Sequence, residues 1–217
     1  MDEALTIEAS LRTAGLATVT LTPVATAIGL WLARRTDELA LGVESVVMAP
    51  LVVPPVVTGL ALAWLVGLDG PLGQALAEAG WRLPDELGRV ITAVLAGAVV
   101  GLPLFVRAVR RQRELVDDRL ISAARSLGAG PVRTFTWITL PHVWRGIAIG
   151  ASLAFARALG EYGATLLVAG PLPTLPFAIA HAADPLGDPS ILRLALLSLG
   201  VAVAAVIATQ TLARRAL

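Results

Sequence analysis

Arg157 and Glu161 lie within a long apolar stretch near the end of the chain, and they are the clearest candidates for chemistry. Residues four apart share one face of a helix, so the guanidinium and the carboxylate can pair directly. A charge at a bilayer centre costs at least about 2.5 kcal/mol, so both groups should face a bundle interior or a watery path. Two interpretations stay open. Either the pair locks helices together, or Arg157 offers positive potential to an anion while Glu161 moderates it.

Other arrangements that carry chemistry are missing from the sequence. His142 and His181 are far apart, and there is no H-E-x-x-H motif, Ser/His/Asp set or pair of carboxylates inside an apolar stretch. All 17 Lys+Arg residues are arginine and no G-x4-G-K-[ST] motif occurs, so no P-loop is present. Cysteine is absent, which excludes a thiolate metal site. We predict a chain that is not an enzyme and holds no cofactor or metal.

The composition is that of an integral membrane protein. The 217 residues are 56% hydrophobic and 15% charged, with a mean hydropathy of +0.78, which is more apolar than one soluble core requires. A net charge of +1 gives no indication of a nucleic-acid partner. Crossing a bilayer takes about 17–25 helical residues, and five stretches meet this length. They are approximately residues 11–33, 43–66, 90–106, 147–168 and 194–212.

The placement of the arginines predicts the orientation of these spans. Twelve arginines lie after the first span, between the third and fourth spans, or after the fifth, whereas four lie on the other side. Because basic residues are retained in the cytoplasm, we expect the N-terminus outside, the C-terminus inside and one large cytoplasmic connection at residues 107–146. The chain begins with three acids before its first arginine, unlike a signal peptide, so we expect this segment to be retained.

Within that connection, residues 121–141 read ISAARSLGAGPVRTFTWITLP. Asp117 or Asp118 is predicted to cap a short helix, which ends where Gly128 permits a left-handed backbone. Pro131 suits the first position of a second helix, which returns to the membrane at residues 140–141.

Small and apolar side chains mark one face of the first of these helices. Ala123 and Ala124 allow another protein to approach closely, and Leu120 and Leu127 offer apolar anchors flanked by arginines. A helix that docks into a partner's groove has this pattern. An arginine-rich helix that lies on lipid headgroups has it too, so the residues alone leave both interpretations open.

The spacing in this segment resembles the EAA signature of ABC-importer permease subunits, E-A-A-x3-G-x9-I-x-L-P. Ser122 stands where the family has glutamate, so a salt bridge to the ATPase is not expected from this position. The resemblance implies that residues 107–146 form the coupling (EAA) loop, and that residues 121–141 within it, with the cap before them, are a coupling segment whose first helix sits in a cleft of a separate cytoplasmic ATPase. The residues that it assigns to this contact are Ser122, Ala123, Ala124, Arg125, Leu127, Gly128, Ile138, Leu140 and Pro141.

Two further stretches, APLVVPPVVTGLAL at residues 49–62 and SLAFARALGEYGAT at residues 152–165, resemble molybdate-type permeases, whose relatives carry tungstate and sulfate. The resemblance implies one all-α transmembrane domain over residues 1–217 with the type I ABC importer permease fold. Five spans are expected, or six if a short re-entrant helix around residues 177–183 is counted. It also implies a homodimer in the inner membrane, ATPase subunits that bind the ATP and Mg, and an extracytoplasmic substrate-binding protein.

Prolines and hydroxyls in the second and fourth spans are candidates for the translocation path. The proline pair at residues 54–55 either makes a simple kink or, as the resemblance implies, shapes a central gate. Hydroxyl groups at Thr58 and Thr165 could donate hydrogen bonds to a tetrahedral anion. The path candidates are Pro54, Pro55, Thr58, Gly59, Arg157, Glu161 and Thr165.

The predicted function is therefore that of an ABC-importer permease subunit for an oxyanion, with molybdate expected first. Tungstate, sulfate or another ABC substrate is the alternative. A secondary transporter or channel is a more distant rival, because such proteins show paired broken helices in repeated halves, and only one half of this sequence carries a proline break.

Overall fold

A computed structural model describes residues 3–66, 70–80, 85–169, 172–182 and 189–214. These ranges contain helices and connections but no strand. The helices are α1 Glu3–Leu32, α2 Glu38–Val52, α3 Pro55–Val66, α4 Pro71–Glu78, α5 Asp85–Glu114, α6 Asp118–Ser126, α7 Pro131–Thr134, α8 Leu140–Leu159, α9 Gly163–Ala169, α10 Leu175–Ala180 and α11 Pro189–Arg214. A π-helical turn, Phe135–Thr139, joins α7 to α8.

By length and composition, four helices in the described part of the chain can cross a bilayer, which confirms the all-α membrane class. They are Glu3–Leu32, Pro55–Ala75, Leu87–Glu114 and Pro189–Ala208, and residues 67–69 within the second lie outside the described residues. The number of five spans stays a prediction. Several helices extend past the predicted ends, because a helix continues into water until a breaker stops it, whereas the bilayer limits only its apolar part.

The predicted second and fourth spans are each broken into two helices. Pro54 and Pro55 lack amide hydrogens, and the residue before a proline favours extended backbone, as at Val53 (φ −73°, ψ 135°). The chain therefore leaves α2 and begins α3 at Pro55. The fourth stretch was predicted as continuous over residues 147–168, which is wrong: α8 ends at Leu159 and α9 begins at Gly163.

Helices α1, α5 and α8 form the centre of the bundle, and glycines let their backbones approach closely. Phe105 of α5 is fully buried and packs over Gly150 of α8, where an added Cβ would lie 2.5 Å from the Phe105 ring. Gly29 of α1 meets Val109 of α5 in the same way, at 2.9 Å. The core between these three helices therefore depends on positions that have no side chain.

The Gly146→Ala variant is expected to lose about 1–3 kcal/mol of stability through overpacking. A Cβ at this position would lie 2.7 Å from the Gln112 Cβ and 2.8 Å from the Ala108 carbonyl oxygen, and the backbone oxygen cannot move aside cheaply. Gly15→Ala is the matched control, because nothing lies within 4 Å of its added Cβ. Denaturant unfolding in detergent compares the two, and equal stabilities would contradict the close approach of α5 and α8.

A short helix is present in this region as α10, Leu175–Ala180, its re-entrant placement stays a prediction, and residue 183 of the predicted range lies outside the described residues. Six residues extend only about 9 Å, so α10 does not cross a bilayer by itself. Its first amide, at Leu175, donates a 2.6 Å hydrogen bond to the buried Ser10 hydroxyl of α1. Leu175 and Ala178 are buried beside α1, α8 and α11. The short helix is thus part of the bundle's packing.

Candidate functional site

The first helix of the coupling segment, α6, is capped at both ends. The Asp117 carboxylate accepts a 2.8 Å hydrogen bond from the Arg119 amide, so Asp117 is the cap that the sequence placed at either 117 or 118. At the other end Gly128 has φ +84°, a left-handed conformation that suits glycine. The Gly128 and Ala129 amides bond to the carbonyls of residues 125 and 124, which completes a Schellman motif. These local interactions make α6 a well-defined short rod.

One face of α6 is anchored and the remainder is open. Ile121 is buried, with 6% of its surface exposed, and holds the helix against the protein. Leu127 is 89% exposed and Leu120 is 47% exposed, although both are apolar. Ser122, Ala123 and Arg125 are exposed and Ala124 is half-buried. The structure thus presents most of the predicted contact residues of α6 on one accessible surface.

Ser122 makes a hydrogen bond within its own helix. Its hydroxyl donates to the Asp118 carbonyl at 3.0 Å, and the side chain carries no charge. Ser122 therefore makes a local bond within α6 and presents no charge at the position where the family signature has glutamate.

The return to the membrane is one continuous helical run from Pro131 to Leu159. The predicted start at Pro131 is confirmed, but the run does not stop at Leu140 and Pro141. Pro141 has no amide hydrogen for the preceding turn, and the π-helical turn lies immediately before it, where the Leu140 amide bonds to the Phe135 carbonyl. Ile138 and Leu140 are half-buried, so these two predicted contact residues also pack within the protein.

Arg157 and Glu161 form the predicted pair, and the carboxylate also binds the next helix. Arg157 Nη1 donates to Glu161 Oε2 at 2.7 Å, and the Ala164 amide donates to Glu161 Oε1 at 2.7 Å. The Glu161 side chain is 2% exposed and that of Arg157 is 30% exposed. Since Glu161 lies beyond the end of α8, the pair bridges the break between α8 and α9. A carboxylate at the first amides of α9 also favours that helix end.

The two broken spans meet at their breaks. A Cβ added to Gly59 would lie 2.8 Å from the Ala164 Cα, and one added to Gly163 would lie 3.1 Å from the Pro55 Cβ. The first turns of α3 and α9 therefore touch through their backbones. The sequence placed the proline pair and the charged pair among the path candidates, and the structure brings them to one crossing. Pro54 lies exposed at its edge.

A small cavity beside Glu161 is lined by four hydroxyl-bearing residues together with Ala93, Ala158 and Leu159. Its polar lining comes from α1, the start of α9 and the cap of α10: Ser10, Thr13, Glu161, Thr165 and Thr174. Thr165 faces this cavity, whereas Thr58, also buried, is not among its lining residues. Sequence reasoning missed Ser10, Thr13 and Thr174. Isolated hydroxyls are common on membrane helices, so only their convergence in space distinguishes them.

The two histidines contact the carbonyls of their own helical turns. His142 Nδ1 lies 2.6 Å from the Ile138 carbonyl oxygen, and His181 Nδ1 lies 3.1 Å from the Phe177 carbonyl oxygen. Over the described ranges, no group of three His, Cys, Asp or Glu side chains could hold a metal ion.

An exposed, doubly capped helix between apolar spans, together with two spans broken where they cross, is an arrangement typical of membrane transport proteins. Residues 25–216 match the family model described as "Binding-protein-dependent transport system inner membrane component", and the chain belongs to this family. The family predicted from the sequence, that of ABC-importer permease subunits, is thereby confirmed.

Relatives similar to this chain carry names from the same transport class. The chain is 38% identical to "Molybdenum transport system permease protein ModB" of Escherichia coli (strain K12), over 94% of this chain and 91% of that protein. It is 35% identical to the ModB of Haemophilus influenzae, over 89% and 86%. It is 34% identical to "Putative molybdenum transport system permease protein YvgM" of Bacillus subtilis (strain 168), over 81% and 78%.

Two solved structures share the fold. One is a bacterial ABC transporter involved in the import of the acidic polysaccharide alginate, with a TM-score of 0.70 at 16% identity, covering 99% of this chain and 80% of that one. The other is an amino acid ABC transporter, with a TM-score of 0.60 at 16% identity, covering 98% and 93%. The predicted ABC permease fold is confirmed.

Proposed function

We propose that this chain is the membrane permease of an ABC importer for molybdate. The observation that carries the proposal is the similarity, at 34–38% identity over most of the chain, to relatives named as molybdenum transport permeases. The chain supplies the pathway, and separate ATPase subunits bind and hydrolyse the ATP with Mg. A substrate-binding protein outside the cytoplasm delivers the anion.

The coupling segment is the surface of the permease that the ATPase binds. Its nine contact residues, given above, centre on α6, whose open face carries the exposed Leu120 and Leu127. Closure of two ATPase subunits on ATP moves α6 as a rod. Because residues 131–159 form one continuous helical run, that movement is carried along α8 toward the Arg157–Glu161 pair. Two states with different contacts then open the path alternately to each side.

Two copies of the chain enclose the pathway, and each presents its coupling segment to one ATPase subunit. In this arrangement the protein lies in the inner membrane, with its N-terminus outside and its C-terminus in the cytoplasm. The arginine count supports the orientation, since twelve arginines fall on the side of residues 107–146.

The crossing of the two broken spans supplies the gate. Pro55 and Gly59 on one side meet Gly163 and Ala164 at the start of α9 on the other, and Pro54 and Thr58 are their neighbours in sequence. Arg157 is paired but keeps 30% of its side chain exposed, so it can still offer positive potential to a passing oxyanion. Helix breaks of this kind allow small backbone changes to open a path without unfolding a whole span.

Reconstitution tests the function. Proteoliposomes that hold this chain with its ATPase, loaded with ATP inside and supplied with the binding protein outside, should take up molybdate but take up little without ATP. Competition by sulfate and tungstate measures the selectivity. Uptake by the permease alone would contradict the proposal in favour of a secondary transporter or channel, and ATP-driven uptake of an unrelated substrate would overturn the assignment of molybdate.

A further inference from the structure

A buried arginine, Arg113, joins α5, the third candidate span, to α6. This first helix of the coupling segment is called the coupling helix below. Arg113 lies in the last turn of α5 and is 4% exposed, which is unusual for a side chain at the end of a helix. Its Nη1 donates to the Val116 carbonyl at 3.3 Å, and its Nη2 donates to the Asp118 Oδ1 at 2.5 Å. One guanidinium therefore binds both the short connection after α5 and the first residue of α6.

The neighbouring arginines do not share this arrangement. Arg110 binds Glu44 of α2 and Glu114 of its own helix, and Arg111 is 77% exposed with only a 3.9 Å approach to Glu114. Arg113 is thus the arginine of this turn that the structure turns inward toward the coupling helix. Its Nε is buried and has no hydrogen-bond partner within the described residues, so its interactions are concentrated on the segment 116–118.

The ion pair between Arg113 and Asp118 sets the orientation of α6 relative to α5 more than it stabilises the fold. The Asp118 carboxylate is 80% exposed, so water screens its attraction to Arg113, and the guanidinium keeps the Val116 carbonyl as an acceptor when that carboxylate is lost. The hydrogen bond from Arg113 nevertheless holds the pKa of the Asp118 carboxyl below its ordinary value, so the carboxylate stays charged at any pH used for transport. Residues 115–117 connect the end of α5 to α6, and the two contacts of Arg113, together with the buried Ile121, fix the orientation of α6.

We propose that Arg113 and Asp118 are positioning residues that make the end of α5 and the coupling helix move as one body. This inference rests on the proposed coupling to an ATPase. It gives α6 a second route into the membrane domain beside the continuous run into α8. A displacement of α6 then turns α5 and α8 together, and these are the helices that pack through Gly146 and Gly150.

The Asp118→Asn variant of the complete transporter tests the proposal. The amide keeps the size of the side chain but loses the charge that Arg113 binds. We expect normal amounts of the complex and ATP hydrolysis close to wild type, with the amount of anion taken up per ATP reduced about tenfold. Asp118→Glu should recover most of this ratio, because it restores the carboxylate. Arg111→Gln, which removes an exposed arginine from the same helical turn, should match wild type.

Each other result counts against the positioning role. A wild-type ratio of uptake to hydrolysis in Asp118→Asn would overturn it, as would an equal loss in Arg111→Gln. Loss of the Asp118→Asn protein from the membrane would overturn it too, because the pair would then be needed for folding. Arg113→Gln gives a second test and should show the same low ratio. If the wild-type complex itself showed no ATP-driven uptake, the proposed function would fail first, and the two failures are thus distinguishable.

Discussion

The Gly128→Trp variant should lose ATP-driven uptake by about 100-fold while the protein remains folded in the membrane. Gly128 has φ +84°, which costs an L residue roughly 1–2 kcal/mol, so the Schellman bonds at the end of α6 are strained or lost. Nothing lies within 4 Å of an added Cβ, so the indole would project from the protein without displacing its core. It would project beside Leu127, on the surface proposed to enter the ATPase cleft. Uptake and the amount of membrane-inserted protein are measured together.

Two matched variants separate the causes of this loss. Gly42→Trp adds the same bulk at an open position of α2 that does not have positive φ, so its uptake should be normal. Gly128→Asn keeps a residue that tolerates the left-handed conformation, so it should retain most of the activity. Equal uptake by the tryptophan variants at positions 42 and 128 would contradict the docking role of the coupling segment.

The Glu161→Ala variant should destabilise the protein by about 3 kcal/mol, because it leaves a partly buried guanidinium without its partner. It also removes the acceptor of the Ala164 amide, so the first turn of α9 loses its link to α8. Thermal or denaturant unfolding in detergent measures the change. A loss below about 0.5 kcal/mol, the range typical of surface substitutions, would show that the pair does not hold the break together.

A double variant then separates the two interpretations of the charged pair. Replacing Arg157 and Glu161 together by methionine removes both charges, so stability should recover toward wild type relative to Glu161→Ala. If Arg157 also offers positive potential to the anion, uptake should stay low in this stable variant. Normal uptake in the stable double variant would restrict the pair to packing, and a double variant no more stable than Glu161→Ala would contradict the pairing itself.

The coupling segment could be predicted closely because its structure is set by near neighbours in sequence. The cap at Asp117 acts on the amide two residues later, and the left-handed exit at Gly128 depends on bonds within five residues. Pro131 begins the next helix by its own fixed φ. Each of these features depends on one residue type and on its near neighbours in the sequence. The sequence alone was therefore enough to place them.

The crossing of the broken spans could not be predicted in the same way. The sequence has Gly160 and Gly163 at the break, but glycine is frequent in continuous membrane helices and does not by itself end a helix. The break is held by Glu161 and by the backbone contact between Gly59 and Ala164, which are far apart in sequence. The bond from Leu175 to Ser10 joins residues 165 positions apart, and it too has no local signal.

Crosslinking from the coupling helix tests the central claim most directly. The chain has no cysteine, so Ala123→Cys or Ala124→Cys introduces a single reactive thiol into α6, and Leu72→Cys, 47% exposed on α4, serves as the control. In the assembled transporter, a thiol-reactive crosslinker should join either α6 variant to the ATPase, with a yield that changes when ATP is added, and should not join the control. Absence of this product from both α6 variants, or labelling of their thiols from outside intact cells by an impermeant reagent, would contradict the account.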